Sequence, residues 1–170
     1  PTDKAQANES AVTEFAADPY HTATVPGPNF FGAHDARPFE EQADVRTFTS
    51  EPLAEPIEWT GRVRAELFVT SSAKDSDFIV RVSDVYPDGR AKNLMSPGNN
   101  VVRASYRDAG TGGQPLEPGK VYELRLPALM TSIRFARGHR IRAQISASFA
   151  PHMSRNLQSG ESEVVSAVSR

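Results

Sequence analysis

Residues 61–89, GRVRAELFVTSSAKDSDFIVRVSDVYPDG, constrain the fold more than any other part of the sequence. Apolar side chains at positions 63, 65, 67 and 69 alternate with mostly charged ones, and this period of two predicts a strand with one buried face. A second alternating run, residues 78–83, follows a polar loop and ends at the turn residues Pro87, Asp88 and Gly89. We therefore expect two β-strands at the centre of the chain.

Similar runs at residues 44–50, 120–127 and 140–148 predict further short strands. The chain has 170 residues with 13 prolines and 11 glycines, which suits many short elements joined by turns. We predict an all-β fold, a sandwich or jelly roll. Residues 1–40 should form an irregular N-terminal segment that packs on or near the sandwich, and residues 41–170 the β-sandwich domain.

The composition excludes several functional classes. The net charge is −2 with dispersed arginines, so we expect no nucleic-acid partner. No apolar run approaches the length of a membrane span, and no cysteine can ligate a metal or form a disulfide. The first residues lack the features of a signal peptide, and a chain that starts at Pro1 is expected to be a fragment. The compartment stays open, with a slight preference for the cytoplasm.

Catalytic motifs are missing from the sequence. A nucleophile elbow requires G-x-S-x-G, and no serine here has that context. The four histidines lack the spacing of metal ligands, and His139, at the start of a predicted strand, is expected to be a hydrogen-bonded structural residue. We predict no catalytic residue and no cofactor in this chain.

Asp75 and Asp77 begin the one cluster of carboxylates, which Asp84 and Asp88 continue. They are weak candidates for a calcium site, because hard cations bind several loop oxygens. The alternative is that they cap turns and strand ends through local hydrogen bonds, as aspartates often do. Because no glutamate follows at loop distance, the second interpretation is favoured, and we predict no metal.

Two adjacent aromatic residues, Phe30 and Phe31, lie in a loop rich in proline and glycine. They either cap the core of this domain or face a partner surface. Other aromatic side chains on predicted strands allow a carbohydrate-binding alternative, since jelly-roll sandwiches often bind sugars through exposed rings. These are Trp59, Phe68, Tyr86 and Tyr106.

Several blocks in order along the chain carry a family resemblance. They are FTSEPL at residues 48–53, FVTSS at 68–72, KDSDF at 74–78, DVYPDGRA at 84–91, LEPG at 116–119, GHRI at 138–141 and RN at 155–156. With these blocks the chain resembles the C-terminal domain of the cocaine-esterase / X-prolyl dipeptidyl-peptidase family of serine hydrolases. The resemblance covers roughly residues 18–160.

The resemblance implies a jelly-roll β-sandwich of the galactose-binding type, following an α/β-hydrolase catalytic domain that carries the Ser-His-Asp triad. Phe30 and Phe31 align with apolar residues near the active-site mouth of such enzymes, so they are candidates for lining the acyl pocket. The chain departs from the family at Ser154, where an acidic residue is usual, and it lacks a final H-P-S-x-L-x-L-P strand. One sheet edge should therefore be exposed and could pair with a second copy of the chain.

From the sequence we thus expect a non-catalytic accessory domain of a serine hydrolase of esters, amides or X-Pro peptides. It would dock on the catalytic domain and help to form the substrate entrance. The first alternative is a stand-alone carbohydrate-binding module, and the second is an esterase that acts by itself.

Overall fold

The computed structural model describes residues 12–27, 32–94, 100–108 and 113–161. Within this part of the chain the elements are one short helix, nine strands and a single 3₁₀ turn. In chain order they are α1 (Arg37–Glu40), β1 (Val45–Thr49), β2 (Ile57–Val63), β3 (Glu66–Val69), β4 (Asp77–Val85), β5 (Ala91–Asn93), β6 (Val101–Arg103), the 3₁₀ turn (Ala104–Tyr106), β7 (Tyr122–Arg125), β8 (Leu129–Phe135) and β9 (Arg140–Ser146). No helix in the described ranges is long and apolar enough to cross a membrane.

One layer is a five-stranded antiparallel sheet centred on β4. Its order is β1-β9-β4-β5, and β6 also pairs with β4, so β5 and β6 lie end to end along one side of it. All nine residues of β4 are buried, because strands flank both of its sides and other elements cover both of its faces. The second run of the alternating central stretch is therefore the middle of the main sheet.

The other layer is a two-stranded ribbon with a bend. β2 pairs with β8 and β3 pairs with β7, and each of these pairs is antiparallel. Between the pairs, residues 64 and 65 on one side oppose residues 126–128 on the other, so one extra residue lies on the side that contains Pro127. This bulge turns the ribbon and splits what the alternation predicted as one strand through residues 62–69.

The inner core fills the space between the sheet and the ribbon. Phe78 of β4 packs with Tyr122 and Leu124 of β7, and Leu67 and Val69 of β3 adjoin this cluster. Further along, Val82 packs with Trp59 and Ile141, and the ring of Trp59 meets that of Phe135 edge to face. The predicted inward face of residues 63–69 is confirmed, and Phe68, on the opposite face, is 66% exposed.

The N-terminal segment covers the outer face of the five-stranded sheet. Phe39 of α1 and Phe149 pack together over Ile79, with Ala23, Val25 and Val45 completing this cluster. The sheet therefore has two buried faces. The predicted all-β class and the sandwich architecture are confirmed, while the division at residue 40 and the likeness to galactose-binding domains stay predictions.

Candidate functional site

Phe30 and Phe31, the pocket candidates, lie outside the described residues, but the chain on either side of them is held by specific contacts. On the N-terminal side, the amide of Gln42 binds the main chain of Thr24 twice. Its Oε1 accepts from Thr24 N at 2.8 Å and its Nε2 donates to Thr24 O at 2.7 Å. A side chain that both donates and accepts in this way replaces a strand neighbour for residue 24.

The buried carboxylate of Asp44 fixes the same part of the chain. Its Oδ2 accepts from Ala23 N at 2.9 Å and from the hydroxyl of Ser148 at 2.8 Å. The main chain of Val25 and Ala150 adds a further bond, from Val25 N to Ala150 O at 2.9 Å. Residues 23–25 are thereby attached to the loop that follows β9.

On the C-terminal side, residues 32–36 run along the free side of β5. Asn93 donates from Nδ2 to Gly32 O at 2.9 Å and from its main-chain N to His34 O at 3.0 Å, and Ala36 N donates to Ala91 O at 2.7 Å. A hydrogen bond from the Arg37 side chain lowers the pKa of Asp35. The chain before Phe30 and Phe31 is therefore held by the loop after β9, and the chain after them by β5.

A polar cluster, defined here as Glu40, Arg142, Gln144 and Ser83, lies under α1 on the outer face of the sheet. The Glu40 carboxylate accepts from Arg142 Nη1 and from Gln144 Nε2, both at 2.6 Å, and from the hydroxyl of Ser83 at 3.2 Å. Gln144 is fully buried, and its amide also bonds to Ser83. The cluster fastens α1 to β4 and β9.

Arg81 adjoins this cluster, with only 4% of its surface exposed. Its guanidinium carbon lies 4.7 Å from the ring centroid of Phe149 and 5.4 Å from that of Phe39. Burial lowers the pKa of this side chain to about 10, against the opposing effect of the Glu40 charge. The aromatic faces supply part of the attraction that water would otherwise provide.

The structure brings Asp75 and Asp77 together, but nitrogen donors surround their oxygens. Arg103 donates to both oxygens of Asp77, from Nε at 2.8 Å and from Nη2 at 3.0 Å. Asn156 Nδ2 donates to Asp77 Oδ1 at 2.8 Å and to Asp75 Oδ2 at 3.1 Å, and Ser105 N donates to Asp75 Oδ1 at 2.9 Å. The pair works as a junction between loops, and most of its partners lie far away in the sequence, unlike the local turn and strand-end hydrogen bonds expected for it. In the described ranges no three histidine or acidic side chains gather closely enough to hold a metal ion.

The remaining candidates serve packing or surface roles. His139 Nδ1 lies 2.8 Å from Asp84 Oδ1, and its ring lies 4.3 Å from that of Tyr86, which agrees with the hydrogen-bonded structural role expected for it. Trp59 belongs to the inner core, whereas Phe68 on β3 and Tyr106 in the 3₁₀ turn are exposed. The aromatic side chains singled out for sugar binding thus differ in burial and belong to different elements.

A small pocket of about 10 Å³ lies between the N-terminal segment and the loop after β9. Its lining includes Asp44, Asp77, Ser148 and Asn156, so it is polar, and its volume is close to that of one water molecule. It is too small for an organic substrate.

Comparison with known proteins decides the family. The model of the X-Pro dipeptidyl-peptidase C-terminal non-catalytic domain matches residues 1–169. The chain belongs to this family. Cocaine esterase from Rhodococcus sp. (strain MB1 Bresler) is 42% identical to this family member over 129 residues, which is 76% of the chain and 22% of the esterase.

Solved structures agree with this assignment. An aminopeptidase from a marine sediment Thaumarchaeota archaeon superposes with a TM-score of 0.77 at 29% identity, over 85% of this chain and 27% of that one. An α-amino acid ester hydrolase gives the same TM-score at 26% identity, over 85% of this chain and 26% of that one. The chain thus spans about a quarter of the length of each of these relatives.

Sequence inspection missed several residues that matter for the geometry. Glu40, Gln42 and Gln144 appeared as ordinary polar side chains, because their partners lie far away in the sequence. One sequence feature could have pointed to such a residue. In the alternating run of residues 140–148, the uncharged polar Gln144 lies on the face opposite the apolar side chains. Asn156 belonged to a quoted motif, yet its bridging of two carboxylates depends on the fold.

Proposed function

We propose that this chain is the non-catalytic accessory domain of a serine hydrolase of esters, amides or X-Pro peptides. It docks on an α/β-hydrolase catalytic domain and helps to form the substrate entrance. The observation that carries the proposal is the family match over residues 1–169, together with relatives whose names are those of an esterase, an ester hydrolase and an aminopeptidase.

Phe30 and Phe31 are the proposed contribution of this domain to the substrate entrance. Support comes from the anchoring of the chain around them, by Gln42 and Asp44 before the pair and by Asn93 after it. A loop whose two ends are fixed can present side chains at a set position, which is what a pocket wall requires.

The test is carried out in the enzyme that contains this chain. Phe30→Ala and Phe31→Ala should change the ratio of kcat/KM between large and small acyl groups, since an apolar wall discriminates by about 1–3 kcal/mol per methylene-sized fit. Phe68→Ala is the matched control, because that exposed ring lies on the ribbon. An unchanged ratio in both Phe30 and Phe31 variants would contradict the pocket role.

We also propose that two copies can pair through β1, the strand at one edge of the five-stranded sheet. Thr47, Phe48 and Thr49 are exposed there, and an edge strand with exposed β-formers is a template for another strand. Sedimentation at increasing concentration tests this. Thr47→Pro should shift the distribution towards monomer, and an identical distribution for both proteins would count against pairing through β1.

A further inference from the structure

Residues 17–20, which precede the first strand, are held by the loop of residues 155–158. Gln158 Nε2 donates to Ala17 O at 2.5 Å, and Arg155 Nη1 donates to Pro19 O at 3.3 Å. Both contacts join a side chain to a main-chain carbonyl more than a hundred residues away. We call residues 17–20 the leading segment and residues 155–158 the clamp loop.

The clamp loop is itself held by hydrogen bonds to buried carboxylates. Asn156 bridges the buried carboxylates of Asp75 and Asp77 through Nδ2, and its Oδ1 accepts from Gln158 N at 2.8 Å. Gln158 has a φ of 63°, a left-handed backbone conformation that residues other than glycine rarely adopt. Strained conformations of this kind persist where surrounding contacts impose them and often mark functional positions.

The leading segment carries an exposed aromatic residue next to the clamp loop. Tyr20 is 71% exposed, and the guanidinium carbon of Arg155 lies 5.5 Å from its ring centroid. The turn below it is closed by Asp18, whose Oδ1 accepts from Tyr20 N at 2.8 Å and whose Oδ2 meets His21 Nδ1 at 2.7 Å. Tyrosine and arginine are the residue types most enriched where binding energy concentrates, and a pre-ordered pair loses little entropy on binding.

We propose that the Tyr20–Arg155 pair is the surface on which the catalytic domain docks. This inference rests on the proposed function and names the surface that it uses. The family is a C-terminal domain, so the catalytic part would join the chain on the side of the leading segment. A domain tethered next to a rigid binding pair meets it at millimolar effective concentration, so even a small contact would be occupied.

Another surface offers exposed apolar groups of similar size. Phe68 lies on the outward face of the ribbon opposite Glu123, and Met130 lies there opposite Arg62. These side chains are separated by charged neighbours and lie far along the chain from the leading segment. Phe68 therefore supplies a control with the same chemistry on a different face.

The experiment places the photo-crosslinking residue p-benzoylphenylalanine at position 20 or at position 68 in the enzyme that contains this chain. Under irradiation, position 20 should give a covalent product with a peptide of the catalytic domain, and position 68 should give none. Crosslinking from position 68 but not from position 20 would overturn this surface and leave the accessory role intact. Crosslinking from neither position would also overturn this surface, and the accessory role would then be judged separately by the acyl-group selectivity of the Phe30 and Phe31 variants.

A second arm tests the clamp. Gln158→Glu keeps the length of the side chain but removes the donor to Ala17 O, so crosslinking from position 20 should decrease. Glu117→Gln, which removes an exposed contact with Lys120, is the matched control and should leave the yield unchanged. An undiminished yield in Gln158→Glu would show that the clamp does not position Tyr20 and would overturn that part of the proposal.

Discussion

The carboxylate of Glu40 lies 2.6 Å from Arg142 Nη1, and both groups are largely enclosed between α1 and the outer face of the main sheet. This contact joins the N-terminal segment to β9 across 102 positions in sequence. It is therefore a fixed point in the attachment of the segment that carries Phe30 and Phe31.

We expect Glu40→Ala to lower the free energy of unfolding by about 2–4 kcal/mol, because the partly buried Arg142 and the buried Gln144 both lose their carboxylate acceptor. Denaturant titration followed by Trp59 fluorescence measures the change. Glu58→Ala, on the exposed face of the ribbon, is the control and should have little effect. Equal stabilities for the Glu40 variant and the parent would show that the ion pair does not fasten α1.

The bridge made by Asn156 gives a second prediction. Asn156→Asp replaces the donor shared by Asp75 and Asp77 with a third carboxylate, so the unfolding free energy at neutral pH should fall by at least about 1–3 kcal/mol. Lowering the pH should narrow the difference from the parent, because protonation removes the added repulsion. A difference that stays constant between neutral and acidic pH would contradict this explanation.

The left-handed conformation of Gln158 gives a third prediction. Gln158→Gly relieves the backbone conformation and removes the contact with Ala17, so global stability should stay within about 1 kcal/mol of the parent. Amide hydrogen exchange in residues 15–20 should nevertheless become faster, while exchange in β4 stays the same. A large loss of global stability, or unchanged exchange in residues 15–20, would be inconsistent with a local clamp.

Surface carboxylates set the direction of the acid response. The Arg37 side chain lowers the pKa of Asp35 and the main-chain N of Arg90 that of Asp88, in each case by a hydrogen bond and to below the ordinary 3.8. A hydrogen bond from Lys120 likewise lowers the pKa of Glu117 below 4.5. The folded chain then binds fewer protons than the unfolded chain near these values. These groups contribute stability above about pH 4 that is lost as the pH falls through the lowered values. Chemical denaturation at pH 5, 4 and 3 should show a steady decrease in the free energy of unfolding. An unfolding free energy that does not change with pH would contradict this prediction.

The strands were largely predictable from the sequence, because each carries its own alternation. Val45–Thr49, Tyr122–Arg125 and Arg140–Ser146 fall within predicted runs, and Asp77–Val85 extends the predicted run of residues 78–83 at both ends. The face that Leu67 and Val69 share was assigned correctly. Local pattern could not show that Gln144 is buried, since its acceptor Glu40 lies 104 residues away. Nor could it show the bend at Pro127, which depends on how two strand pairs differ in register.

The functional assignment followed from motifs rather than from geometry. The block around Asp75 and Asp77 helped to identify the family, yet the two side chains hold loops together through Arg103 and Asn156. Motifs of this kind carry information about descent and stability at once, and only contacts in the folded chain separate the two.

Active-site labelling tests the central claim most directly, namely that the catalytic serine lies outside this chain. The enzyme that contains these 170 residues is treated with a fluorophosphonate, digested and mapped by mass spectrometry. The account predicts that the phosphonylated serine lies outside the chain described here. A stoichiometric adduct on any serine within it would contradict the account.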